Sequence, residues 1–405
     1  MLSHSVVEGS LPYRFRVLWD EIAAIGRDPG SGGYLRYALG AAELALRDWF
    51  REQARRRGLA VTEDGNGNLL ARWGDPDAVD AVLVGSHFDS VPHGGGYDGP
   101  LGIVSAFLAV DELRAAGVTP TRPVVVAAFV EEEGARFGVP CLGSRLLTGA
   151  IEVDRAAGLR DAAGVSFAEA LGQAPVGARP DLLAGFSSFV ELHVEQGRAL
   201  VERDAPVAVA EAIWPHGRWR FDVHGEANHA GTTRMADRRD PMLTYAFTVL
   251  AANKEARLRG AHATVGRVRV EPNATNAVPS TVTGWLDARA ADQETLDALV
   301  EAVAAKAAER ARRDGTEVRV TEESATPLVT FDDRLGTRLA RLLAAPVLPT
   351  AAGHDAGVLA GHLPTAMLFV RNPTGVSHSP AETATDADCA AGVTALARVL
   401  TELTR

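Results

Sequence analysis

The chain has 405 residues, 46% of them hydrophobic, enough apolar matter for two or three domains or for one large α/β domain with an insertion. Its net charge of −11 excludes general nucleic-acid binding, which needs a basic surface. Two cysteines, Cys141 and Cys389, point to a reducing, cytoplasmic compartment. The opening MLSHSVVEGSLPYRF has no apolar leader core, and no run approaches the ~18 apolar residues of a membrane span.

Two amphipathic helices are predicted between residues 11 and 57. The second ends in Arg55, Arg56 and Arg57 before Gly58, a cationic helix end followed by a stop. Strands at 59–63 and 69–73 are joined by the turn DGNGN. A third strand, 81–86, leads into GSHFDSVPHGGGYDGPLG. This stretch sets His87, Asp89 and Asp98 just beyond a core strand, where open α/β sheets place their ligands. A helix follows near 101–116. The apolar strand 123–130 delivers Glu131, Glu132 and Glu133 at its C-terminal end. Three adjacent carboxylates repel one another. A solvated acidic loop is one reading of them, and a metal site is the more economical one.

Residues 150–185 read as irregular structure and short helices. In FVELHVEQG, 189–197, apolar and polar positions alternate, so Glu191, His193 and Glu195 share a face. A histidine between two carboxylates suits a metal ligand, and taken alone it equally suits an ordinary hydrogen-bonded histidine. From about 213 the order becomes strand 218–225, helix 240–260, strands 263–272 and 280–289, helix 291–315 and strand 316–322. That β-α-β-β-α-β order is ferredoxin-like, about 110 residues long, and it interrupts another domain. After 326 come a helix near 332–344, a loop carrying GHDA, a strand at 364–370, a loop bringing in His378, and a final helix, 385–403.

His87, Asp98, Glu133, His193 and His378 therefore fall at strand ends or in loops of one resumed domain. Three imidazoles and two carboxylates suit zinc or manganese. A shared aspartate would hold two ions ~3.5–4 Å apart, as in two-metal hydrolases. Glu132, beside Glu133, is placed to act as general base. Asp89 is placed to take the other imidazole proton of His87.

The motifs GSHFDSV…GGGYDGPLG, EEEGARFG, ELHVEQG, GEANHAGTTRM, PNATNAVP, LDAR, GHDA and SHSPAE span about 85–382 in order. In them the chain resembles the hydantoinase/carbamoylase branch of the dinuclear metallo-aminoacylase and carboxypeptidase superfamily. The resemblance implies an α/β fold. Its di-metal exopeptidase-like catalytic domain, with a mixed sheet, would comprise 1–212 and 326–405, and a ferredoxin-like lid and dimerisation domain would fill 213–325. It implies two divalent ions per subunit, zinc or manganese, with cobalt or nickel as further candidates. His87 and His193 would hold one ion and Glu133 and His378 the other, with Asp98 on both. It implies Glu132 as base and His229 as the oxyanion donor from a partner subunit. Gln196, Asn276 and Arg289 would hold the substrate carboxylate. Arg289 also shares a strand face with Trp285 and Asp287, and without the motif a surface ion pair is as good a reading. One departure is Arg234, where the family usually has proline.

The implied activity is hydrolysis of the ureido group of a small carboxylate, giving ammonia and CO2. The stretches IGRDPGSGGY and RNPTGVSHSPAE are similar to allantoate amidohydrolase-like sequences. N-carbamoyl-L-amino-acid hydrolase or β-ureidopropionase is the alternative, and a dipeptidase, an aminoacylase or a non-catalytic scaffold is more distant. The implied partners are a small-molecule carboxylate and a second copy of the chain, not nucleic acid or membrane.

Overall fold

The computed structural model describes residues 9–405, so the first eight residues of the stretch read for a leader lie outside it. The described residues form two compact units: those up to 211 with 330–405, and 212–329.

The first unit begins with α1 (Leu11–Asp20), α2 (Ala41–Arg56), β1 (Ala60–Glu63), β2 (Leu69–Trp73), β3 (Ala81–His87) and α3 (Pro100–Ala115). It continues with β4 (Val124–Phe129), α4 (Leu142–Thr148), three short helices between 153 and 183, β5 (Phe186–Val194) and β6 (Val207–Ile213). The second unit holds β7 (His216–His224), α5 (Pro241–Arg259), β8 (His262–Glu271), β9 (Thr281–Arg289), α6 (Gln293–Asp314) and β10 (Glu317–Thr326). The chain then returns through α7 (Asp333–Leu343), β11 (Val347–Thr350), α8 (Asp355–Leu359), β12 (Thr365–Val370) and α9 (Asp386–Leu403).

The large sheet runs β1-β2-β4-β3-β5-β12-β6 and ends on the two-residue strand Val329–Thr330, with β11 also paired to β6. Its centre, β4-β3-β5-β12, is parallel, while β1, β2 and β6 pair antiparallel, so the sheet is mixed. Every residue of β3, β4 and β12 is buried. Parallel strands covered on both faces read as unbroken apolar runs, which is why AVLV and PVVVAAFV are apolar throughout. The strand at 189–197 differs from its reading. It runs from Phe186 to Val194, and both of its alternating faces are buried from Ser188 onward. The strands β6 and β11 and the helix α8 have no counterpart in the reading of the sequence. In VAVAEAI four small or acidic residues mute the apolar signal, and α8 is five residues long.

The core of this unit packs α1, α2, α3 and α9 on the sheet through Phe15, Trp19, Phe50, Phe107, Val393 and Leu400. The parallel strands point their C-terminal ends the same way, so β3, β4, β5 and β12 deliver His87, the Glu131–Glu133 run, His193 and the His378 loop to one edge.

The second unit is an antiparallel sheet in the order β10-β7-β9-β8, joined as β-α-β-β-α-β. Trp219, Phe221, Leu286 and Ala288 face α5 and α6 in a common core with Leu299 and Val303. The alternate residues, Arg218, Arg220, Asp222, Asp287 and Arg289, lie on the opposite face.

Candidate metal centre

His87, the last residue of β3, is wholly buried. Its Nδ1 lies 3.0 Å from the main-chain oxygen of Asp89. His193 on β5 repeats this device, with Nδ1 2.9 Å from the Val194 oxygen. A carbonyl only accepts, so each Nδ1 carries the proton and each Nε2 presents a lone pair. Both Nε2 atoms are buried and lack a hydrogen-bond partner among the described residues. Asp98 Oδ1 lies 3.5 Å from the first and 3.1 Å from the second. Two orphaned buried lone pairs turned on one carboxylate oxygen fit a divalent cation.

The other oxygen of Asp98 faces a second group. His378 Nε2 lies 3.4 Å from Asp98 Oδ2 and 3.5 Å from Glu133 Oε2. Thus His87, Asp98 and His193 form one candidate metal-holding group, and Asp98, Glu133 and His378 form another. Burial opposes the charge on Asp98, but His193, His378 and His87 hold its carboxyl well below the ordinary range. Burial likewise opposes a charge on His87, yet Glu132, Asp89 and Asp98 outweigh it and raise its pKa well above the ordinary value. A proton and a cation therefore compete for the same lone pair.

Two glycines make this convergence possible. A Cβ on Gly99, at φ +87°, would meet His87 Cε1 at 2.5 Å, and one on Gly95 would meet Glu382 Oε1 at 2.2 Å. Glu382 is a functional residue that reading the sequence missed. Its Oε1 accepts from Tyr97 N at 2.8 Å and Asp98 N at 3.0 Å, and Ser377 Oγ donates to its Oε2 at 3.2 Å. The signal was a carboxylate four residues after His378 in SHSPAE. His354 was also missed. It is buried, its Nε2 has no hydrogen-bond partner among the described residues, and its ring centroid lies 4.5 Å from that of His193. Burial, then His193, pushes its pKa well below the ordinary value.

The three glutamates after β4 part company. Glu131 adopts φ +55° and turns its carboxylate onto the N–H groups of Arg136 and Phe137, 3.0 and 2.5 Å away. Glu132 keeps Oε2 3.7 Å from His87 Nε2 and takes the Cys141 thiol on Oε1 at 3.5 Å. Burial first, then Glu133, Asp355 and Asp89, pushes its carboxyl well above the ordinary range. The Asp89 carboxylate does not take the hydrogen bond expected of it. It lies 3.6 Å from His87 Nδ1 and instead accepts from Glu132 N at 3.2 Å and Glu133 N at 3.0 Å. The main-chain oxygen of Asp89 fixes the tautomer, and its side chain sets the backbone of the two glutamates. Glu191 accepts from Ser86 Oγ and Ala356 N. Glu195 points elsewhere, capping the turn at Ala199 and Leu200.

The profile of peptidase family M20/M25/M40 matches residues 83–402. The chain belongs to this family. It is similar to the N-carbamoyl-L-amino acid amidohydrolase of Geobacillus stearothermophilus, 38% identical, covering 95% of this chain and 98% of that one. It is also similar to the allantoate amidohydrolase of Escherichia coli strain K12, at 33% identity, covering 100% and 99%. Among solved structures, a hydantoinase/carbamoylase family amidase from Burkholderia multivorans superposes with a TM-score of 0.84 at 29% identity, covering 97% and 98%. The M20-family chain is a hydrolase of linear amide C–N bonds. No helix among its described residues is long and apolar enough to cross a membrane.

Of the four residues expected to hold the substrate carboxylate or to donate to the oxyanion, Gln196 stands with the metal group, its Nε2 3.0 Å from Asp98 Oδ2. The other three belong to the second unit. His229 accepts at Nδ1 from Gly231 N at 2.9 Å and Thr232 N at 3.2 Å, so its proton sits on Nε2. A two-residue ladder, Asn228–His229 with Ala277–Val278, ties His229 to the segment of Asn276, whose oxygen accepts from Ala230 N. Arg289 ends β9 and is forked onto Asp287. Arg234 pairs locally with Asp237 at 2.7 Å and is mostly exposed.

Proposed function

We propose that the chain hydrolyses the ureido C–N bond of a small carboxylate, releasing ammonia and CO2, with allantoate as its first candidate substrate. The observation that carries this reading is the split use of Asp98, with one oxygen toward His87 and His193 and the other toward Glu133 and His378. Those five residues would hold two divalent ions, zinc or manganese, with cobalt or nickel as further candidates. Such ions acidify water and polarise a carbonyl oxygen.

The side chains do the rest. Arg289 grips the substrate carboxylate as a fork, with Asn276 and Gln196 as further donors. Glu132 removes a proton from water and returns it to the leaving nitrogen. Its desolvated carboxyl is suited to both transfers. His229, holding its proton on Nε2, donates to the oxygen that becomes negative as the carbonyl is attacked. Supplying His229 from a partner subunit calls for a homodimer through the second unit, here read as a lid and dimerisation domain. Its helix α5 exposes Leu243, Phe247, Leu250 and Leu258, and its β8 is an edge strand. The two cysteines are free and buried, which suits a reducing, cytoplasmic compartment.

An N-carbamoyl-L-amino acid is the second reading, favoured by the 38% identity to a relative of that name. The test is ammonia release from allantoate, N-carbamoyl-L-amino acids, N-carbamoyl-β-alanine and dipeptides by protein reconstituted with manganese or zinc. Release from a ureido substrate is expected. Cleavage of dipeptides alone sinks the ureido reading.

A further inference from the structure

The polar face of the four-stranded sheet carries a row that the chemistry above does not use in full. His262 on β8, Arg289 on β9 and His216 on β7 are direct cross-strand partners. Residues opposed in this way point to one face with Cα atoms ~4.5–5.5 Å apart. Arg289 is forked onto Asp287, with Nε 2.8 Å from Oδ1 and Nη2 3.2 Å from Oδ2. His216 Nδ1 lies 2.9 Å from the Trp214 carbonyl oxygen. That oxygen only accepts, so Nδ1 holds the proton and Nε2 of the neutral ring is an acceptor. Burial lowers the imidazole pKa and outweighs the opposing Trp214 carbonyl and Asp287, and Arg289 and Arg218 act with burial. The ring is therefore neutral at pH 7.

The row thus sets a neutral acceptor beside a cation suited to a carboxylate. A carboxylate with only an alkyl group on its α-carbon has nothing to give that acceptor. One whose α-carbon bears a second ureido group carries N–H donors on the adjoining atom. We propose that His216 is a specificity-determining residue, accepting through Nε2 an N–H of a second ureido group on the α-carbon of the carboxylate that Arg289 grips. The inference rests on the reading of Arg289 as the carboxylate clamp of a ureido hydrolase.

Allantoate and N-carbamoylglycine make a matched pair. They share the carboxylate and the scissile ureido group and differ by the second ureido group. His216→Phe keeps a ring without the acceptor, and His216→Gln keeps an acceptor. The parent protein is expected to show the higher kcat/KM on allantoate. His216→Phe should lose about tenfold or more on allantoate while staying within about threefold on N-carbamoylglycine. His216→Gln should retain more of the preference. Equal losses on both substrates, or no loss on allantoate, overturn the proposal. If His216→Phe does not fold, the same comparison with His216→Leu decides. A parent that cleaves N-carbamoyl amino acids but not allantoate overturns this inference and leaves the ureido reading intact. A parent that cleaves no ureido compound removes both.

Discussion

At the scale of single residues, the site separates groups of similar chemistry by what their backbones do. Glu131, Glu132 and Glu133 are consecutive, yet a left-handed turn at Glu131 sends its carboxylate to main-chain donors and leaves the other two at the cluster. Glu132 faces His87 and takes the Cys141 thiol, whereas Glu133 accepts from Val91 N at 3.3 Å. In the proposed mechanism this difference suits Glu132 to proton transfer and Glu133 to cation binding. Glu132→Gln should lower kcat by about 10³–10⁴, the upper part of the usual range for a lost general base. Its metal content, measured by elemental analysis, should stay at the parent's value. Retained turnover would remove Glu132 from the role of base.

At the scale of elements, the cluster depends on two connections. The segment Val130–Glu132 is clamped by the N-terminus of α4. Cys141 N donates to the Glu132 oxygen at 2.7 Å, Leu142 N to that of Glu131 at 3.0 Å, and Gly143 N to that of Val130 at 2.9 Å. These are the orphan donors that every helix start must satisfy, used here in place of a side-chain cap. Asn68, from the DGNGN turn, adds a bond to Val130 N at 3.1 Å. The second connection is β3 to α3, where Gly99 gives room to the His87 ring. Gly99→Ala combines a steric overlap with a left-handed backbone and should cost about 3 kcal/mol, read from the melting transition. Gly117→Ala, at φ +70° with nothing near its added Cβ, should cost about 1 kcal/mol. Equal costs would show that the overlap with His87 carries no weight. These connections mark where the sequence could be read and where it could not. Buried parallel strands announce themselves as apolar runs, and a glycine-rich loop between His87 and Asp98 announces a reversal. Main-chain oxygens leave no trace in a sequence, so the residue types alone point His87 Nδ1 to the Asp89 carboxylate, whereas the carbonyl takes it. His354 carries no periodic signal, because it caps a helix of only five residues, although its ring meets His193.

At the scale of the whole molecule, the first unit concentrates acidic groups in its interior at one sheet edge. Burial raises Glu133 and Glu382 to about 7, and Glu131 and Asp355 to about 8. A carboxyl with a raised folded-state pKa binds its proton more tightly in the native state than in the unfolded chain. Its effect is nil below the unfolded value near 4 to 4.5. From there the fold loses stability as pH climbs, until the loss levels off above the folded values near 7 to 8. Bound cations would remove this penalty by stabilising the ionised forms at the cluster. Protein stripped of metal should therefore melt at a lower temperature at pH 8 than at pH 5, and reconstitution with manganese or zinc should restore most of the difference at pH 8. Calorimetry across this range checks both arms. A stripped protein whose melting temperature is flat or rises between pH 5 and 8 would mean that these carboxylates are already neutralised within the fold, and that the cluster does not depend on cations for its charge balance.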